Sequence, residues 1–284
     1  MKIETAKSAG FCFGVDRAVN TVYQLIADNK APIYTFGPII HNEEVTNELE
    51  KLGVTIIHSE EELKKINSGV IVIRSHGVAQ KYYSLMEKDN IEVVDATCPF
   101  VSKIHQYVKE YTKNNYSIII IGDEAHPEVQ GIYGWGNPNR TWVINTIDEI
   151  DKFSGSIQDK YCIVTQTTYN ANKFKELVEK IRKKGYDIIV LNTICNATST
   201  RQAEAKTLAA QNDAMIVIGG KASSNTQKLF EICKMECENT YYIQTIDDMD
   251  NEIIQSYHSV GITAGASTPN KIIEEVQKYV RNEF

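Results

Sequence analysis

Short runs of β-branched and apolar residues recur along this chain, separated by longer stretches in which apolar residues return every three or four positions. The runs PIYTFG (32–37), VIVIRS (70–75), SIIIIG (117–122), YCIVTQ (161–166), DIIVLNT (187–193), AMIVIGG (214–220) and SVGITAG (259–265) predict strands. NEEVTNELEKLG, with Val45, Leu49 and Leu52 on one face, predicts an amphipathic helix. So does TPNKIIEEVQKYV, with Ile272, Ile273, Val276 and Val280. Ser59 and Glu62 are spaced as a capping box at a helix start. Strand–helix alternation of this kind implies mainly parallel sheets covered by helices.

The alternation carries an internal repeat. Cys98 in DATCPFV (95–101) and Cys195 in NTICNAT (192–198) each follow a predicted strand and precede a predicted helix. Cys98 lies 86 residues beyond Cys12, which sits in the glycine-flanked stretch GFCFGV (10–15), and Cys195 lies a further 97 residues on. Polar residues keep the same register. His41 in GPIIHNEEV comes 29 residues after Cys12, His126 in GDEAHPEVQG 28 after Cys98, and Ser223 in GGKASSNTQKL 28 after Cys195. His76 in RSHGV, Thr167 in TQTT and Ser267 in TAGASTP follow the matching cysteines at 64, 69 and 72 residues. Self-similarity at a fixed period is an architectural signal, and these units are too long for a solenoid repeat. The expected fold is α/β: three similar small lobes, each a mainly parallel sheet flanked by helices, arranged pseudo-threefold around a central cavity. The lobes would span 14–97, 98–194, and 195–284 joined by 1–13.

Ligands of open parallel sheets bind beyond the carboxyl ends of the strands, where all of these motifs fall. His41, His76, His126, Thr167, Ser223, Ser224, Asn225 and Ser267 form a set rich in hydrogen-bond donors and free of Lys and Arg. Such a set suits a phosphate or diphosphate held by neutral donors, helix N-termini and one or two imidazolium charges. Capping of helices is the competing role for the Ser and Asn residues, and it is compatible with anion binding. Glu128, two residues after His126, is the one acid that the register places among them. Burial beside a polyanion would raise its pKa and make it a proton donor.

Charge and cysteine usage narrow the classes. The 284 residues carry a net charge of −7, which argues against nucleic acid or an anionic membrane as the main partner. An anionic substrate must therefore be held by a local arrangement. No apolar leader or membrane-length run is present, so a cytoplasmic location is expected, and with it reduced cysteines rather than a disulfide framework. Three converging thiolates could bind zinc or an iron–sulfur cluster. The close C-x₂-C pairs of structural zinc and the compact cysteine runs of ferredoxins are both missing. One cysteine per lobe suggests a [4Fe-4S] cluster held by Cys12, Cys98 and Cys195, with an open fourth iron. A pure electron carrier and a zinc or thiol-switch protein stand as alternatives. Cys162 reads as strand core, Cys233 and Cys237 as structural, and His58, His105 and His258 as surface residues.

The motifs AGFCFGVDRAV, GPIIHNEEV, RSHGV, DATCPFV, HPEVQG, TQTT, TICNATSTRQAEA, GGKASSNTQKL and TAGASTP together resemble those of the 4-hydroxy-3-methylbut-2-enyl diphosphate reductase family, in order from residue 9 to residue 269. The resemblance implies a [4Fe-4S] cluster on Cys12, Cys98 and Cys195, whose fourth iron takes the hydroxyl of an allylic alcohol diphosphate. It implies diphosphate binding by His41, His76, His126, Ser223, Asn225 and Ser267, with Ser224 in the same motif. It assigns proton delivery to Glu128 and positioning of the substrate alcohol to Thr167. Two electrons, supplied by a ferredoxin or flavodoxin, and two protons would give isopentenyl and dimethylallyl diphosphate, the last step of the methylerythritol phosphate route. The stretch GDEAHPE departs from the family form GHEGHPE at Asp123 and Ala125, which puts the local hydrogen bonds in question and leaves His126-Pro127-Glu128 intact.

Overall fold

The computed structural model describes residues 2–249 and 256–282. Its strands are β1 (Lys2–Thr5), β2 (Ile33–Phe36), β3 (Val54–Ile57), β4 (Gly69–Ile73), β5 (Ile91–Asp95), β6 (Ser117–Ile121), β7 (Thr141–Ile144), β8 (Lys160–Thr165), β9 (Asp187–Val190), β10 (Ala214–Ile218), β11 (Thr240–Ile243) and β12 (Ser259–Ala264). The α-helices are α1 (Phe13–Ala27), α2 (Glu43–Lys51), α3 (Glu60–Lys65), α4 (Lys81–Met86), α5 (Pro99–Lys113), α6 (Pro127–Tyr133), α7 (Ile147–Lys152), α8 (Ala171–Lys183), α9 (Asn196–Gln211), α10 (Ser224–Glu236) and α11 (Asn270–Asn282).

The strands form three four-stranded sheets in the orders β1-β12-β10-β11, β3-β2-β4-β5 and β7-β6-β8-β9. Every pairing is parallel. The two inner strands of each sheet are buried on both faces, so they read as continuous apolar runs: Ser117–Ile121 and Ala214–Ile218 are buried at every position. Backbone contacts divide the chain into two compact units. One comprises Met1–Asp16, His41–Asn47 and Cys195–Phe284, and the other Arg17–Ile40 and Glu48–Ile194. The first contains the sheet β1-β12-β10-β11, and the second contains the other two sheets.

Helix patterns hold with small shifts. Ile272, Ile273, Val276 and Val280 all face the core of the first unit. Val45 and Leu49 are buried as expected, but α2 ends at Lys51, so Leu52 falls beyond the last turn and is 48% exposed. Ser59 caps α3 by accepting from the Glu62 N–H at 3.2 Å. The Glu62 carboxylate, however, accepts from the N–H of His58 and not that of Ser59, so the box closes one residue early. Among the described residues no helix is long and apolar enough to cross a membrane.

Candidate active site

The internal repeat is legible in the topology of each sheet. Cys12, Cys98 and Cys195 follow the edge strands β1, β5 and β9, and each stands at the start of a long helix. Their carbonyls accept the first helical N–H bonds, from Asp16 (2.9 Å), Ser102 (2.9 Å) and Ser199 (3.0 Å). The neighbouring inner strands β4, β8 and β12 lead into the turns bearing His76, Thr167 and Ser267. The other inner strands, β2, β6 and β10, lead into those bearing His41, His126 and Ser223. Every residue of the sequence-derived set thus lies just past the carboxyl end of a strand.

In the larger unit, Cys98, His76, His126, Glu128 and Thr167 are brought to one end of the two sheets. His126 is the N-cap of α6, where its Nδ1 accepts from the Glu128 N–H at 3.1 Å. That role places the ring proton on Nε2 and keeps the imidazole neutral in this arrangement. The His76 ring packs edge-on against His126 at 5.5 Å between centroids. The Glu128 side chain is buried and faces the β8 turn. Its Oε1 accepts from the Thr167 N–H at 2.6 Å, and its Oε2 accepts from the Thr167 hydroxyl at 2.7 Å. Burial raises the Glu128 pKa from 4.5 to about 7, although both bonds from Thr167 favour the carboxylate. Cys98 is tied to the His76 turn, since its N–H donates to the Ser75 carbonyl at 2.9 Å.

In the smaller unit, Ser223 is the N-cap of α10 and accepts from the Thr226 N–H at 3.3 Å. The Ser267 hydroxyl bridges the Ser223 hydroxyl (3.3 Å) and the His41 carbonyl (3.1 Å). Asn225 is buried in the first turn of α10, and its Nδ2 has no hydrogen-bond partner among the described residues. A buried amide donor left open at a helix N-terminus is the arrangement an anionic ligand would complete. Ser224 is half-buried in the same turn. Cys12 and Cys195 both lie within electrostatic reach of Arg201, whose guanidinium donates to the carbonyls of Gly10 and Ala264, each at 2.9 Å.

The six cysteines fall into two chemical classes. Cys12, Cys98 and Cys195 are half-buried cysteines at helix starts, outside any disulfide. Cys162, Cys233 and Cys237 are buried, and desolvation pushes the first two up to about 12, which leaves them neutral core groups. Cys233 and Cys237 turn their sulfurs toward the carbonyls of Ala205, Asn212 and Asp213 rather than toward a shared ligand. In the smaller unit Cys12 and Cys195 are therefore thiols beside a cation, and in the larger unit Cys98 is a thiol at a helix start, each of the type that serves as a thiolate ligand.

A profile of the LytB protein family matches residues 3–281. The chain belongs to the LytB family. Its relatives include proteins named 4-hydroxy-3-methylbut-2-enyl diphosphate reductase from Thermoanaerobacter sp. (strain X514), 47% identical over 99% of this chain and 97% of the relative, and from Clostridioides difficile (strain 630), 43% identical over 99% and 100%. The fold is similar to the solved E-1-hydroxy-2-methyl-but-2-enyl-4-diphosphate reductase of Plasmodium falciparum, with a TM-score of 0.91 at 32% identity, covering 99% of this chain and 87% of that one.

For this LytB chain, sequence reading missed several supporting residues. His105, expected at the surface, is buried and stacks on Trp135 at 5.1 Å. Desolvation pushes its pKa down to about 4. Its imidazole backs the His76 turn: Gly77 adopts φ +68°, and a Cβ there would stand 2.5 Å from the His105 ring. The aromatic partner of His105 lies 30 residues on, so its burial has no local signal. His58 and His258 are exposed as expected. Asp123, where LytB relatives were expected to carry His, accepts from the Ala125 N–H at 3.0 Å and presents its carbonyl to the His126 N–H at 2.9 Å. The substitution thus builds an Asx turn that presents His126. Gln166 fastens that turn to β8 by accepting from the Asp123 N–H at 3.2 Å.

Proposed function

We propose that this chain catalyses reductive removal of the allylic hydroxyl of (E)-4-hydroxy-3-methylbut-2-enyl diphosphate. One substrate, two electrons and two protons give water and either isopentenyl or dimethylallyl diphosphate. The observation that carries the reading is Glu128: a buried carboxyl with a pKa of about 7, held at both oxygens by Thr167 and adjoining the His126 cap. A pure electron carrier has no use for such a group, whereas departure of hydroxide at neutral pH requires a proton donor. The printed names of the LytB relatives support the same reaction.

The residues proposed to hold the [4Fe-4S] cluster are Cys12, Cys98 and Cys195, with its fourth iron open. When bound, the cluster supplies electrons one at a time and Lewis acidity. His41, His76, His126, Ser223, Ser224, Asn225 and Ser267 are proposed to hold the diphosphate. In His126 the Nδ1 accepts from the Glu128 N–H, so the ring's donor is Nε2–H. With its pKa raised by burial to about 7, the Glu128 carboxyl is able to carry a proton near neutral pH, and Oε2 is the oxygen that faces the Thr167 hydroxyl. When Oε2 carries the proton, the bond between them reverses. The Thr167 hydroxyl then accepts from Glu128 and frees its own hydrogen for the substrate oxygen, so the pair passes a proton outward. A ferredoxin or flavodoxin is the proposed electron donor and the cytoplasm the proposed location, where cysteine ligands stay reduced.

The decisive experiment is anaerobic. The protein with its cluster intact is mixed with the hydroxylated diphosphate and reduced methyl viologen, and the products are separated. Formation of the two C5 diphosphates is expected. Oxidation of the dye without either product, or no oxidation by a fully loaded protein, would overturn the assignment.

A further inference from the structure

Arg74 directly follows β4, two residues before His76, and its charge is unanswered. Its side chain has no hydrogen bond or ion pair among the described residues, and its Nε is buried without a partner. Burial pushes the guanidinium down to about 10. A partly buried, unpaired guanidinium is costly to keep, and protein interiors normally supply it with a carboxylate or phosphate.

The surroundings explain what space is kept for such a partner. Arg74 faces a cleft of about 700 Å³ in the larger unit, walled by the carboxyl ends of β2, β3 and β4 and by α4 and α6. No carboxylate lines it. Lys81, the other fixed cation on its wall, is already matched by Glu60 at 2.7 Å, so Arg74 supplies the charge left over. Gly37 at the end of β2 has φ +74°, and any Cβ there would run into the Arg74 Nη1. The glycine thus reserves room for the guanidinium. The opposite wall is aromatic: Phe36 and Tyr82 pack edge-to-face at 4.8 Å. The cleft also occupies a topological switch point, because β2 pairs with β3 on one side and β4 on the other. Ligands of doubly wound sheets collect at such points, and the volume is that of a small-molecule site.

We propose that this cleft is a second ligand site, distinct from the Glu128–Thr167 centre, for a small organic anion. Its oxyanion head rests on the Arg74 guanidinium fork, and its apolar or aromatic body lies against Phe36 and Tyr82. Pro127 and Gln130 of α6 form part of the same wall, so an occupant touches the helix that carries His126 and Glu128.

Phenyl phosphate is a suitable probe, with phenol as the same body without the charge. The cluster-loaded full chain is titrated calorimetrically with each compound, and a crystal of the wild type is soaked in phenyl phosphate. The expected results are phosphate density within hydrogen-bonding distance of Arg74, binding weakened at least tenfold in Arg74→Met and in Tyr82→Ala, and phenol binding at least tenfold weaker than the phosphate. Asn225→Ala should leave the Arg74-dependent binding in place, which separates this site from the diphosphate donors. Undiminished binding by Arg74→Met, or phosphate density that avoids Arg74, would overturn the proposal. If a variant does not fold, the wild-type crystal alone decides.

Discussion

Thr167 engages both carboxyl oxygens of Glu128, its N–H reaching Oε1 at 2.6 Å and its hydroxyl reaching Oε2 at 2.7 Å. The two residues come from different strand ends, and the pairing fixes the carboxyl plane without a cation. The carboxyl is buried, with the Thr167 hydroxyl and the His126 turn beside it. Glu128→Gln keeps the shape and the bond from the Thr167 N–H, and its amide NH₂ donates to the threonine hydroxyl as the protonated acid would, but it has no proton to release. Turnover should fall at least about 100-fold with KM little changed. Steady-state rates under reducing, anaerobic conditions test this, and full turnover would remove Glu128 from proton delivery.

The pKa of about 7 makes two statements about pH. In activity, the acid form is lost as pH rises, so the rate should decline through an apparent pKa near 7, and Glu128→Gln should abolish that limb. In stability, the folded protein binds more protons than the unfolded chain between pH 4.5 and about 7. Stability from this group is therefore fully present below 4.5 and lost as pH rises through 7, a penalty of roughly 3 kcal/mol above that point. Urea unfolding at pH 5 and pH 8 should show a smaller pH-dependent loss for Glu128→Gln than for the wild type.

Thr167→Ala removes the hydroxyl and leaves the N–H bond. Because the hydroxyl bond favours the carboxylate, its loss should move the basic limb of the rate to higher pH while the maximal rate falls about 10- to 100-fold. Thr167→Ser should restore both. A rate loss without any shift of the limb would mean that the hydroxyl only positions substrate.

Cysteine substitutions should separate along the two chemical classes. Cys12→Ser, Cys98→Ser and Cys195→Ser should each lower iron and sulfide per chain in anaerobically purified protein. Cys162→Ala should retain both and instead lower the unfolding midpoint, since that thiol is fully buried beside Ile118 and Val164 in the core of one sheet. Wild-type iron content in any of the three Ser variants would refute the ligand assignment.

Arg201 clasps the carbonyls of Gly10 and Ala264 within reach of Cys12 and Cys195. Arg201→Met strands two buried carbonyls and should cost about 3 kcal/mol in urea unfolding. It should also loosen the turn that carries Cys12, giving faster iron loss on exposure to a chelator. Arg201→Lys should recover part of this, because both carbonyls accept from the single Nη1 and one ammonium can donate to both.

The sequence pattern named runs for all six inner strands, and the strands for which it named no run share one cause. β1, β3, β5, β7 and β11 are all edge strands. Segments such as KIET and IEVVD are short and interleave charged residues, because one long side of an edge strand meets solvent or loop. Inner strands such as SIIII cannot be mistaken. Among edge strands only β9, with its DIIV run, was apolar enough to register. The site residues were legible because the repeat places each at the same step past a strand. What escaped was the pairing of Glu128 with Thr167, which depends on sheet order, and the burial of Arg74, Arg201 and His105, whose partners or neighbours are distant in the chain.

The strand β1 joins its sheet by pairing with β12, Lys2 opposite Ser259. Residues 2–5 therefore find their neighbouring strand only at residues 259–262. The sheets built from residues 33–95 and 117–190 each close over a short stretch of chain, whereas this one joins strands at opposite ends of the described residues, and it anchors the turn that carries Cys12. Pairing across so long a stretch of chain is slow, so the sheet that frames the Cys12 turn is expected to close after the other two.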